Sequence, residues 1–180
     1  MKKKDVEVKK VDKEAELLST LAFAGSDKVW TVTRLALAFA DKYGDEAFEI
    51  LKKIGYARGE RNAPMIEKLM KENGCNFNDP RHFRRYLRET TGFWGYVKDT
   101  DDSVVVKPDG KIKLEYRILK CCWAETWKEM GLSRELQVKL DSCLGYQSDM
   151  ASTKYFNIKY ECDQGLPNGR PWCKFIMEKM

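Results

Sequence analysis

The sequence predicts an α+β fold: a helical N-terminal half packed with a C-terminal four-stranded antiparallel sheet, in the order β-β-α-α-β-β. Three observations predict it. Up to about residue 92 the apolar residues recur at helical spacing, and after it the period changes. From Lys111 to Arg117 the chain alternates, with Ile112, Leu114 and Tyr116 against Lys113, Glu115 and Arg117. Turn-forming stretches at Pro108-Asp109-Gly110 and from Gly165 to Pro171 then place a hairpin at each end of that region, so neighbouring strands run antiparallel with the helices on one face.

Each element follows in turn. A basic stretch over residues 1–11 reads as a solvated, flexible tail; mixed charge follows it where a signal peptide would have an apolar run. Ala15, Leu18, Leu21 and Ala22 predict a first helix from Asp12 to Ala24. Gly25-Ser26-Asp27 breaks it and caps a second, which carries Val29, Trp30, Thr33, Leu37 and Ala40 and stops near Tyr43-Gly44. A third helix starts at Asp45 or Gly44, with Ala47, Ile50, Leu51 and Ile54 on one face. It continues towards Met70 with a bend or break at Gly55, Gly59 or Pro64. Gly74 to Asp79 is a loop, and Pro80 suits the first turn of a helix to Thr90.

The aromatic run from Phe93 to Tyr96 leads to a turn at Asp99-Thr100-Asp101-Asp102, then a strand from Val104 to Lys107 and its partner from Lys111. A helix from Ala124 to Met130 ends at Gly131, and Ser133 caps a longer one with Leu136, Leu140, Cys143 and Leu144 inward. Phe156 to Cys162 and Trp172 to Met177 are the last two strands. The expected organisation is one compact domain over 12–180, helical over 12–92 and α+β over 93–180.

Composition narrows the function. Charge of +5 spread over 33 basic and 28 acidic residues favours an anionic small molecule without arguing for nucleic acid. The basic run Arg81, His82, Arg84, Arg85 and Arg88 contains Phe83 and Leu87 and reads as an amphipathic helix with one solvated face. No apolar run reaches the roughly 18 residues of a membrane span. Six cysteines without a secretory signal point to the reducing cytoplasm, where thiols are free, catalytic or metal-bound. A single histidine, His82, excludes any site needing two.

The chemistry concentrates at Cys121-Cys122, between a strand and a helix. Orphan N–H groups at a helix start favour a thiolate, so Cys121 is the candidate nucleophile or metal ligand, with burial as a small hydrophobe the structural alternative. Glu125 and Asp149 are candidate proton carriers, against the ordinary role of a solvated helix face. Arg58 and Arg117 are candidates for holding a carboxylate, and Trp123 and Trp172 for walling a pocket; the remaining tryptophans read as core. Cys121, Cys143 and Cys173 form a candidate soft-metal set.

The stretch Cys121-Cys122-Trp123-Ala124-Glu125 with Trp127 and Gly131, then Phe156-Asn157-Ile158, Gly165 and Trp172-Cys173-Lys174-Phe175, resembles the L-2-amino-thiazoline-4-carboxylic acid hydrolase family, within the wider group of 4-vinyl-reductase-like ligand-binding domains. Tyr43-Gly44-Asp45-Glu46-Ala47 and Arg58-Gly59 resemble the family's helical half. Cys122 stands where the family usually has proline. The resemblance implies a hydrolase acting on a small anionic cyclic amidine or amide, with no certain cofactor and zinc or manganese as the metals to test. The alternative is a non-catalytic small-molecule or redox-sensing domain. A third reading is a structural module, and a homodimer is the candidate assembly.

Overall fold

The computed structural model describes residues 26–91 and 98–180. The basic tail, the expected helix over 12–24 and the aromatic run at 93–96 lie outside the described residues.

Helix α1 spans 26–43, with Val29, Thr33 and Ala36 buried on one stripe. Gly44, at φ 60°, turns the chain into α2, Asp45–Glu72. That helix runs unbroken through Pro64, which is exposed, so the lost N–H bond falls on the solvent side. Its buried stripe passes through Phe48, Gly55, Gly59 and Asn62, not through Ile54, which is 55% exposed. Helix α3, Pro80–Thr91, follows the loop.

Strands β1, Lys98–Val106, and β2, Ile112–Lys120, form the expected hairpin. The expected turn at 99–102 is instead the first half of β1, with shifts in register at Lys98/Asp99 and Asp101/Ser103. Three helices, not two, then separate β2 from the second hairpin: α4, Cys122–Glu129; α5, Arg134–Leu144; and α6, Tyr146–Tyr155. Strands β3, Ile158–Cys162, and β4, Cys173–Lys179, complete an antiparallel sheet in the order β1-β2-β4-β3. Phe156 belongs to the end of α6, and Trp172 precedes β4.

Two hydrophobic clusters hold the molecule. One joins the sheet (Leu114, Tyr116, Ile158, Phe175, Met177) to the second half of α2 and to α3 (Ile66, Met70, Phe83, Tyr86). The other joins α1 and the first half of α2 to α4 and α5, around Trp127, Leu140 and Cys143. The fully buried Trp127 donates its Nε1–H to Thr33 Oγ1 at 2.8 Å, so its one polar atom is satisfied. Trp30, read as core, is 46% exposed with the Arg34 guanidinium over its ring. No helix among the described residues is long and apolar enough to cross a membrane.

Candidate functional site

Where the two clusters meet they leave a cavity of about 130 Å³. Tyr116 and Phe175 of the sheet face it from one side, and Trp123 and Trp127 of α4 from the other. Cys121, the last residue before α4, is its N-cap, in extended conformation at φ −135°, and it lines this cavity. The Cys122 S–H that donates to it holds the Cys121 thiol below its ordinary range. The N–H groups of Ala124 and Trp123 add to this, against burial and the charge of Asp141. Cys122 is raised in turn, by donating to Cys121 and by burial. Both cysteines line the cavity because the chain enters a helix there: successive side chains turn by about 100° and do not alternate sides as in a strand.

Asp149 projects into the same space from α6. Burial raises it to about 6, although the Tyr160 hydroxyl donates to it at 3.0 Å and Arg58 lies near. Asp141 of α5, missed in the sequence, faces it and is likewise raised to about 6 by burial. The Gln164 amide, donating at 3.0 Å, opposes that rise, and the charge of Asp149 adds to it. The one signal for Asp141 was Gly145 a turn later: a Cβ there would lie 2.8 Å from Asp141 Oδ1. Gln164 itself sits at φ 49°, a left-handed conformation unusual for its residue type. That backbone aims its N–H at Cys162 Sγ, at 3.4 Å, while its side chain reaches Asp141.

Arg58 enters from α2 with its Nε donating to Ser148 Oγ at 3.1 Å and its Nη2 to the Leu144 carbonyl at 2.6 Å. The guanidinium is thus tied to α6 and its neighbouring turn. Arg84, grouped by sequence with a solvated basic helix, also reaches the cavity, over the Tyr116 ring. Three other expected residues do not line the cavity. Glu125 points to the outside and pairs with Lys120 at 3.5 Å. Arg117 lies over the ring of Trp172, and the two form a pair away from the site.

The expected metal set is not assembled either. Cys143 is buried in the second cluster and donates its S–H to the Phe48 carbonyl at 3.4 Å. Among the described residues, the group with ligand atoms within 4.8 Å of one another is Cys162, Asp163 and Cys173. Cys162 accepts the Gln164 N–H, and Cys173 accepts the Leu166 N–H at 3.2 Å, the kind of support a metal-bound thiolate receives. Asp163 already accepts from the N–H groups of Gly165 and Lys174, and its second oxygen pairs with Arg170 at 3.1 Å. Two thiols and a carboxylate fit zinc better than manganese, which prefers oxygen. All six cysteines are free.

A similar fold is found in the phenol-responsive sensory domain of the transcription activator PoxR, solved with phenol. At 18% identity the superposition has a TM-score of 0.52 and covers 84% of this chain and 74% of that one. No curated protein gives a significant match. The hydrolase family resembled at Cys121 and its surroundings has a sequence model that matches residues 29–177. That span runs from α1 into β4 and takes in every wall of the cavity, so the chain belongs to the L-2-amino-thiazoline-4-carboxylic acid hydrolase family.

Proposed function

We propose that the protein is a hydrolase-like enzyme that opens a small anionic cyclic amidine or amide of the 2-amino-thiazoline-4-carboxylate type. The observation that carries this reading is a thiol with stabilised negative charge in the cavity that also holds two carboxylates, which keep their protons to about pH 6. Cys121 Sγ attacks C2 of the amidine, and the ring C–S bond breaks as Asp149 gives its proton to the departing sulfur. Water, deprotonated by Asp149, then adds to the carbon held on Cys121. Loss of the Cys121 thiolate leaves that oxygen as the carbonyl of a carbamoyl product. A zinc ion held by Cys162, Asp163 and Cys173 would supply Lewis acidity near the thiols.

The test is turnover of 2-amino-thiazoline-4-carboxylate under reducing conditions, with and without zinc or manganese, following N-carbamoyl-cysteine by mass spectrometry. Product from the wild type, lost by at least about a hundredfold in a folded Cys121→Ala variant, supports the reading. No product under any condition overturns it.

A second reading, a non-catalytic sensor, draws on the fold shared with a phenol-responsive domain and on the aromatic walls of the cavity. It expects ligand-dependent stabilisation without product. Six free thiols favour the cytoplasm as the working compartment. The exposed Val104, Val105 and Val106 on the edge strand β1 are where a second copy would pair if the chain dimerises.

A further inference from the structure

Cys121 lines two spaces, not one. On its outer side lies an open groove of about 510 Å³, between α4, the start of α5 and the loop joining β3 to β4. Cys121, Ala124, Leu166 and Pro167 belong to both spaces, so Cys121 is part of the wall between them. The groove carries Lys120, Lys128, Arg134 and Arg170 against a single carboxylate, Glu125. Lys120 is balanced by Glu125 and Arg170 by Asp163. Lys128 and Arg134 have no ion pair among the described residues, and they leave the groove with two uncompensated positive charges.

Arg134 lines the groove at the surface. Its guanidinium lies against Gly169, where a Cβ would come within 2.7 Å of Cζ, and Gly169 itself needs φ 80°. Inside the cavity the nearest cation to Asp149 is Arg58, already bonded to Ser148 and Leu144. The cavity sets Arg58 and Arg84 against Asp141 and Asp149, whereas the open groove sets its four cations against Glu125 alone.

We propose that the groove is an anion subsite: it holds the carboxylate of a small substrate while the reacting carbon is presented to Cys121 through the shared wall. This rests on Cys121 being the reacting group, as in the reading above, and it reassigns the carboxylate anchor from Arg58 to Lys128 and Arg134. A small probe separates the two ideas without turnover. Iodoacetate carries a carboxylate and iodoacetamide does not, and both alkylate a thiolate with loss of iodide.

The reduced 180-residue chain is treated with each reagent at low salt, alongside the neutral thiol N-acetylcysteinamide, and alkylation of Cys121 is followed by peptide mass spectrometry. The iodoacetate-to-iodoacetamide rate ratio at Cys121 should exceed that of the neutral thiol by about three- to tenfold. It should fall towards the neutral value in Lys128→Glu, in Arg134→Gln and in 0.5 M salt. If turnover is also found, Lys128→Glu should raise KM and leave kcat nearly unchanged. A ratio equal to that of the neutral thiol overturns the proposal, as does a ratio unmoved by both variants or a Cys121 that neither reagent reaches. Absence of turnover alone would overturn only the hydrolase reading and leave the subsite standing.

Discussion

Asp141 and Asp149 ionise late because each is held away from water, and the first to lose its proton opposes the second. Their folded values of about 6 lie above the ordinary 3.8. Between those two values the folded chain keeps protons that the unfolded chain has released, so stability falls as pH rises through the window. Above it the two ionised carboxylates remain a standing cost. Asp141→Asn, which keeps an acceptor for Gln164, should therefore be more stable than wild type at pH 7.5 by about 1–2 kcal/mol and show no gain at pH 4. Urea melts at the two pH values check this, and a gain equal at both would refute it. At this scale the sequence was uneven in what it disclosed. Cys121 was legible because a thiol where a strand meets a helix has a known electrostatic consequence. Asp141 was not, since an aspartate on an amphipathic helix reads as solvated, and its burial depends on Gly145 and on a distant loop.

Helix α6 shows why an element can escape notice. Its buried residues are Ser148, Ala151, Ser152 and Thr153, small and mostly polar, so no apolar stripe marks it. The reason lies on α2. A Cβ on Gly55 would sit 2.1 Å from the Cys143 carbonyl oxygen, and one on Gly59 at 2.1 Å from that of Ser148 and 2.7 Å from Ala151 Cβ. Two glycines on α2 thus form a notch for close approach, and such contact selects small residues on the facing side. Ser152 Oγ donates to the Gly59 carbonyl across it at 3.1 Å. The same closeness brings Arg58 to Ser148. Alanine raises helix propensity by roughly 1 kcal/mol over glycine, but here it collides with backbone that cannot move alone. Gly59→Ala should cost about 1–3 kcal/mol net, read as a lower urea midpoint with an unchanged slope. A stabilised variant would mean that the notch is not tight.

At the scale of the whole molecule, the α+β class and the two hairpins were plain from the change of period and the turn residues. The seam between the two hydrophobic clusters was not, because no residue pattern records a gap that arises only when two bodies of side chains meet. Since the cavity takes its walls from both, a ligand that fills it ties them together. A cognate ligand at about a hundred times its Kd should add roughly 2.7 kcal/mol and raise Tm by about 5–10 °C in one cooperative transition. A thermal-shift screen of cyclic amidines and phenols reads this directly, and a transition that splits on binding would contradict it.

The seam also bears on how such a pocket diversifies. Its width depends on the spacing of two separately packed bodies, so a changed side chain deep in either one resizes the space without touching what is bound. Substrate range becomes a property of distance, open to gradual adjustment while the thiol and the acids stay where they are.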